Sequence, residues 1–586
     1  MPKWNVSNFY LNDQAWNHDY ELIKTEIDQL GNFKGKLGNF NSFKLYHEKE
    51  TAVLELLFKL YPYAHLLSDL DLRDADKSAL NQKVMFVLTQ LNQVTSFVAP
   101  EIIALGKDMV MTFVNKDSFL KPYKFQFEKL FRSQKHILSD SQEKILANFS
   151  ALNSFPTTLH QSLSVIDRKN EVIKLSSGEK VSVSAANYPS LIENSVLPKD
   201  RAKIFEALFK RYVDNKGAFA ATYNLVLQQL AAKYKSRNYS SALEAALFDN
   251  NIPVDVYLTL KDVTYANTKP LRRYFKLRKK ILRLKKHNFY DRLLPLAKND
   301  KTYPYETALK MFFDSIDGLD AEFVKNQHRA MEDGYVDVFP TDGKRTGAYS
   351  SGFYGHHPYI LLNHNDTLDA VFTLAHEAGH SAHTIFSNES QPMPTADYTI
   401  FVAEIASIFN EHILLDHLLS KAESKDEKII LLQTAIDNIC GTFYRQTLFA
   451  TFEYEANKLV ENDTPISDQS LSKIFIDLYK HYYNLDITKE GGLQYEWAYI
   501  PHLYNSPFYV YQYATSFAAS LKIYDNIKSG DQNAFENFKK LLKSGGSQYP
   551  VEQARQAGAD LTDPKTFLSV FKRFNELVDL LEELTN

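Results

Sequence analysis

The sequence predicts a mainly α-helical, two-lobed body with one small β-sheet. Apolar residues at helical spacing fill most of the chain, and a single strand-like region interrupts the later helices at about 335–363. The chain's 586 residues are long for one core, so two or three subdomains are expected. Repeats and low-complexity tracts are absent.

Taken in order, the chain reads as successive amphipathic helices from about residue 18 to 150, as at 52–60 (AVLELLFKL) and around 142–146. Residues 171–175 and 180–184 flank Ser176-Ser177-Gly178-Glu179, the pattern of a small β-hairpin. Helices resume from Lys199. Runs at 335–339 and 359–362, with turn residues between them, read as strands. Residues 368–375 then carry apolar residues at helical spacing and continue without proline into His376-Glu377-Ala378-Gly379-His380. This helix has room to run through Ile385 and Phe386. Residues 387–394, with Pro392 and Pro394, read as a loop. A second helix is expected to begin near Thr395 or Asp397, either able to cap it, and to carry 401–409. Further on, Ser506 as cap and Pro507 at the first helical position predict a helix start. Tyr509 and Tyr513 would then share a face while Tyr511 points elsewhere.

Bulk properties narrow the function classes. Lys and Arg number 67 against 71 Asp and Glu, a net charge of −4, which argues against a whole-protein attraction to nucleic acid or membrane. Cys440 is the only cysteine, so neither an intrachain disulfide nor a cysteine-based zinc site can form. The start of the chain is followed by Asn12, Asp13 and Gln14 rather than an apolar run, so no signal peptide is expected. No stretch of about 18 apolar residues occurs. A cytoplasmic protein is expected.

The spacing of His376 and His380 places two imidazoles on one helical face, where both can aim a nitrogen at one zinc ion. Glu377, one step round, is positioned to hold a metal-bound water rather than the metal, and can take its proton during attack on a carbonyl. A chance match, or histidines that merely pack in a core, is the competing account. Glu404 is flanked by Val402, Ala403, Ile405 and Ala406, and a charge is costly to bury there unless paired or metal-bound. A helix, a tight loop and an antiparallel helix would return Glu404 to His376 and His380. Two His and one Glu leave a fourth position open, the pattern of catalytic zinc, one ion per chain. A metzincin would need Gly at 383 and His at 386; His383 and Phe386 stand there instead. His383 is either an outer-shell group or a helix-face histidine contacting the loop.

The run His376-Glu377-Ala378-Gly379-His380-Ser381-Ala382-His383, followed by Glu404-Ile405-Ala406-Ser407, closely resembles the M3 family of metallopeptidases and, within it, the oligoendopeptidase F branch. Four further segments carry the resemblance: 343–352 (GKRTGAYSSG), 358–363 (PYILLN), 444–450 (YRQTLFA) and 508–515 (FYVYQYAT). It is strong from about Lys199 onward and looser in the first third. Ala378 departs from the larger apolar residue of many relatives, which touches packing and not the ligands. The resemblance implies a zinc endopeptidase that cleaves internal bonds of short oligopeptides, with zinc deep in a substrate channel between lobes. It implies an N-terminal helical region at 1–115, a helical segment with the hairpin at 116–198, and a catalytic domain at 199–586. It also implies that His502 and a downstream tyrosine, Tyr513 or in reserve Tyr509, reach the scissile carbonyl. Aromatic packing competes with that role, since the chain holds 35 Tyr and 40 Phe.

Two readings concern partners. An exposed strand edge matches peptide amides without reading side chains, and Gly347, Ala348, Tyr349 and Gly352 are the candidate edge residues; a plain structural hairpin is the alternative. His356, His357 and His364 lie nearby, where loop context favours surface or substrate-contact roles over metal ligation. The segment 271–286 is basic and amphipathic, with Leu277, Ile281 and Leu284 on one face. It reads as a solvated helix packed by its apolar side, or else as the binding face of a non-catalytic protein. Among enzymes, a carboxypeptidase-like zinc exopeptidase on the same motif is the other possibility.

Overall fold

The structure, a computed structural model, describes residues 3–167, 169–298 and 300–586; Met1 and Pro2, where the start without a leader was read, lie outside them. Among the described residues helices dominate, and five short strands form two sheets. Strands β1 (Glu171–Lys174) and β2 (Lys180–Val183) make the expected antiparallel hairpin. Strands β3 (Val336–Asp337), β4 (Tyr349–Ser351) and β5 (Tyr359–Leu361) make a second sheet in the order β3-β5-β4. Its register pairs Val336 with Ile360 in parallel and Ser350 with Ile360 antiparallel, which leaves β4 on an edge.

The chain divides into two compact units, each drawn from three segments. The first comprises residues 1–135, 301–418 and 523–558. Its N-terminal helices Asp13–Leu30, Phe40–Leu70 and Ala75–Thr95 pack on one another. In the first of them Trp16, Tyr20, Ile23, Ile27 and Leu30 are buried at spacings of three and four, one continuous stripe. Each such side chain contributes about 1.5–3 kcal/mol through burial. Asn12 caps that helix by accepting from the Ala15 amide, and the Trp16 indole donates to the Leu60 carbonyl. Tyr359 and Leu361 of β5 belong to the same core, and the Trp4 indole donates to the Ile360 carbonyl. The sheet is thereby fixed on one side by the N-terminal helices. The helix Leu368–Ser390, called here the motif helix, packs against β4 and β5.

The second unit comprises residues 136–300, 419–522 and 559–586. Helices Lys216–Ser236, Gln446–Glu461 and Asp468–Tyr483 pack together around Tyr223, Phe452, Phe475, Tyr479 and Trp497, all buried. Much of the basic segment forms the helix Lys269–Ile281, and several of its cations are engaged within this unit. Arg278 is fully buried and donates to the carbonyls of Asp291 and Leu294, Arg272 donates to the His481 carbonyl, and Arg273 pairs with Asp579 and Glu582. Among the described residues, no helix is long and apolar enough to cross a membrane.

Candidate active site

Thr367 starts the motif helix by accepting from the Ala370 amide, and Leu368, Val371, Leu374, Ala375, Ala378 and Ala382 bury one side of it. The helix runs one turn beyond the expected Ile385–Phe386. Ser387 is buried with its hydroxyl donating to the Ala396 carbonyl, and Pro392 stops further propagation. The second helix, Ile400–Lys421, starts later than Thr395 or Asp397, the caps the sequence suggested. Thr395 sits in a short helical turn, Met393–Ala396, with its hydroxyl donating to Gln391, and the Thr399 carbonyl accepts the first helical amides.

Gly379 sets how closely the two helices cross. A Cβ built on it would lie 2.6 Å from the Ser407 Cα and 2.7 Å from the Ala406 carbonyl oxygen. Only a residue without a side chain allows this approach, which carries Glu404 onto the histidines. The His376 Nε2 and His380 Nε2 atoms are 3.2 Å apart, and Glu404 Oε2 lies 3.2 Å from the first and 3.5 Å from the second. Ligands about 2.0–2.1 Å from a tetrahedral zinc are about 3.3 Å from one another, so these residues fit that ion. No second such trio occurs among the described residues. Burial opposes a charge on Glu404, but hydrogen bonds and charge from both imidazoles hold its carboxyl well below the usual carboxylate range. The site is built for an anionic ligand facing cationic charge.

Glu411 completes the centre and was missed from sequence. Its Oε1 lies 2.6 Å from His376 Nδ1, which fixes the ring and leaves Nε2 for a metal. Glu411 stands seven residues after Glu404, hence on the same helical face, and that spacing was the available signal.

Glu377 is 6% exposed, and its Oε2 accepts no hydrogen bond among the described residues. Burial pushes its carboxyl above the usual range, against the charges of His380 and His376 and a hydrogen bond from the Ser350 backbone. Ser350 belongs to edge strand β4, and its hydroxyl meets that of buried Ser381 on the motif helix at 2.7 Å. Tyr349 turns the other way, donating to Asp69 at 2.7 Å, while Gly352 abuts Thr384. Gly347 adopts a left-handed conformation at φ +85°. With Ala348, Asn363, Asp369 and Thr373 it lines a cavity of about 170 Å³. The carboxylate next to the trio and the edge strand therefore converge on one face.

His502, Tyr509 and Tyr513 lie in the second unit and cluster there by a route other than the expected helix. Pro507 sits in a turn, and the helix begins at Tyr511. Phe508 takes a left-handed conformation at φ +57°, which breaks the register assumed from the Ser-Pro pair. Tyr509 nevertheless stacks on His502 with ring centres 5.9 Å apart, and Tyr513 meets Tyr509 at 5.4 Å and His502 at 6.1 Å. All three are half-buried, whereas Tyr511 is buried in the core. Burial pushes the His502 pKa below the ordinary imidazole value.

The remaining histidines are engaged elsewhere. His383 is fully buried, stacks on Tyr398 at 3.7 Å, and is pushed down to about 3 by burial and by the charge of His380. His357 lies within hydrogen-bond distance of the Arg329 and Pro358 carbonyls, His364 of the Tyr303 carbonyl, and the His356 ring rests on Phe9. His364 is buried, so a surface role does not hold for it.

Known proteins share this chain's sequence pattern and fold over nearly its full length. The model of Peptidase family M3 matches residues 194–573, and that of Oligopeptidase F matches 101–169. Oligopeptidase PepF of Bacillus subtilis is 34% identical over 586 residues, covering 99% of this chain and 87% of the relative. A crystal structure from Chlamydophila abortus superposes with a TM-score of 0.88 at 33% identity, covering 99% of this chain and 98% of that one. Oligoendopeptidase-F from Enterococcus faecium does so with a TM-score of 0.77 at 29% identity, covering 98% and 99%. With that family model spanning residues 194–573, well over half of its length, the chain belongs to Peptidase family M3.

Proposed function

We propose that this protein is a metalloendopeptidase that hydrolyses internal bonds of short oligopeptides, with one zinc ion held by His376, His380 and Glu404. The observation that carries the metal assignment is the 3.2–3.5 Å spacing of the three ligand atoms. When bound, zinc supplies a Lewis acid that polarises the scissile carbonyl and lowers the pKa of water. Glu377 is the general base: its partnerless Oε2 takes the proton of the attacking water and returns it to the leaving amine. Burial raises its pKa, which favours uptake of the water's proton. Gly347, Ala348, Tyr349 and Gly352 mark the strand along which the peptide backbone aligns, a role supported by the edge position of β4. His502 and Tyr513, with Tyr509 in reserve, donate to the carbonyl oxygen as it gains charge. Their clustering supports this.

The exopeptidase alternative places the same centre on chain ends. Digestion of a peptide of about ten residues, followed by mass spectrometry, separates the two. Internal fragments are expected, abolished by a chelator and reduced about 10² to 10⁴-fold by Glu377→Gln with metal retained. Loss of single terminal residues in succession would overturn the endopeptidase reading, and a near-normal rate in Glu377→Gln would reassign the base.

A further inference from the structure

Glu453 is a buried carboxylic side chain that the chemistry above leaves unused. It projects from the helix Gln446–Glu461 and is 2% exposed. Around it stand Tyr223, Tyr257 and Tyr511, each close enough for its charge to raise their own pKa values. Burial pushes the Glu453 carboxyl up to about 8, and the opposing influence is a hydrogen bond from the Phe508 amide. That bond, from N–H to Oε1, is 2.5 Å long, and Oε2 accepts none among the described residues. A leucine or methionine would fill such a site at less cost, so packing alone does not account for an acid there.

The other end of the bond is equally unusual. Phe508 is a bulky residue at φ +57°, a backbone region such residues rarely enter and hold only when their surroundings force it. It is 3% exposed, with its ring against Tyr257. The next residue is Tyr509, which stacks on His502 and meets Tyr513. A different backbone at Phe508 would swing Tyr509 off both rings.

We propose that Glu453 is a positioning residue: by holding the Phe508 amide it fixes the left-handed turn that seats Tyr509 against His502 and Tyr513. This rests on the reading of those three residues as donors to the carbonyl oxygen. A carboxyl or an amide at 453 can accept strongly from the Phe508 N–H; a thioether accepts only weakly, and a shorter acid falls back from it.

The test uses the metal-loaded full chain and four variants: Glu453→Gln, Glu453→Met, Glu453→Asp and Tyr513→Phe, with Tyr509→Phe as companion to the last. Glu453→Met and Glu453→Asp are expected to lower kcat on a ten-residue peptide about 10- to 100-fold with KM little changed, as a misplacement of about 1 Å does. Glu453→Gln is expected to keep most of kcat at pH 7. Hydrogen exchange read by mass spectrometry is expected to speed up across 506–510 in the Met and Asp variants and not in the Gln variant, while 446–461 stays protected. The Asp variant carries the test if the Met variant fails to fold. Normal kcat and unchanged exchange in Met or Asp, with Tyr513→Phe impaired, overturn the role of Glu453 alone. Normal turnover in both Tyr509→Phe and Tyr513→Phe overturns the donor reading, and the positioning role with it; the exchange data then still report whether Glu453 holds the turn.

Discussion

The motif helix and the turn at 506–510 both gather side chains proposed to act in catalysis, and they do so by opposite means. His376, His380, Glu404 and Glu411 stand on two regular helices, so their placement follows from spacing along each helix and from one close crossing at Gly379. What demands energy there is charge: two carboxylates and two imidazoles in a partly buried space. His502, Tyr509 and Tyr513 carry far less charge, and the demand is conformational, met by a left-handed Phe508 and one buried hydrogen bond. A centre built on charge should respond to removal of ligands and charges. A centre built on a strained turn should respond to changes that leave charge alone.

The sharpest way to break this contrast is at the ligands. Purified His380→Ala is expected to lose stoichiometric metal, and with it activity, as measured by metal analysis of the dialysed protein. Full retention with merely weakened turnover would remove His380 from the set. Next in size is Tyr513→Phe, which deletes a hydroxyl and keeps the ring. It should cost about 10²-fold in kcat at nearly constant KM, the scale of one oxyanion donor. A normal Tyr513→Phe beside an impaired Tyr509→Phe would move the role to Tyr509, which the observed turn brings to the same His502 ring. Glu411→Gln keeps an acceptor for His376 Nδ1 and removes the charge. A loss of about 10- to 100-fold in metal affinity is expected in a chelator competition, and unchanged affinity would leave Glu411 a packing group.

The smallest expected effect is read in stability. Burial raises the Glu453 pKa from 4.5 to about 8, so the folded chain keeps a proton that the unfolded chain releases. Stability from this group is therefore full below pH about 4.5 and declines as pH rises through about 8. Gln at this position has no such proton. The Tm of Glu453→Gln relative to the wild type should rise between pH 5 and pH 9 by several degrees, as the proton held only by the folded wild type is lost. Parallel melting curves across that range would show that Glu453 titrates normally.

These differences also explain what was legible in the sequence. The motif helix was, because apolar spacing from Leu368 to Ala375 and the His376–His380 interval are local signals. Glu404 was legible as a charge among apolar neighbours. Glu411 announces itself only by a seven-residue interval on a helix whose start was placed too early. The turn before Tyr511 was not legible, because its cause lies 55 residues away in the hydrogen bond from Phe508 to Glu453. A Ser-Pro pair ordinarily starts a helix, and local preference lost to that tertiary contact. The spread of each compact unit over three separate segments likewise has no local signature.

Gly379 shows what an absent atom can specify. Within a helix, glycine ordinarily registers as a weak spot, worth about 1 kcal/mol against alanine. Here the missing methyl works as a ruler: it lets Ser407 come within 2.6 Å of where a Cβ would stand, and so fixes the span between ligands borne on different helices. The gauge of the proposed metal site is thus written in the spacing of two backbones rather than in the proposed ligands themselves.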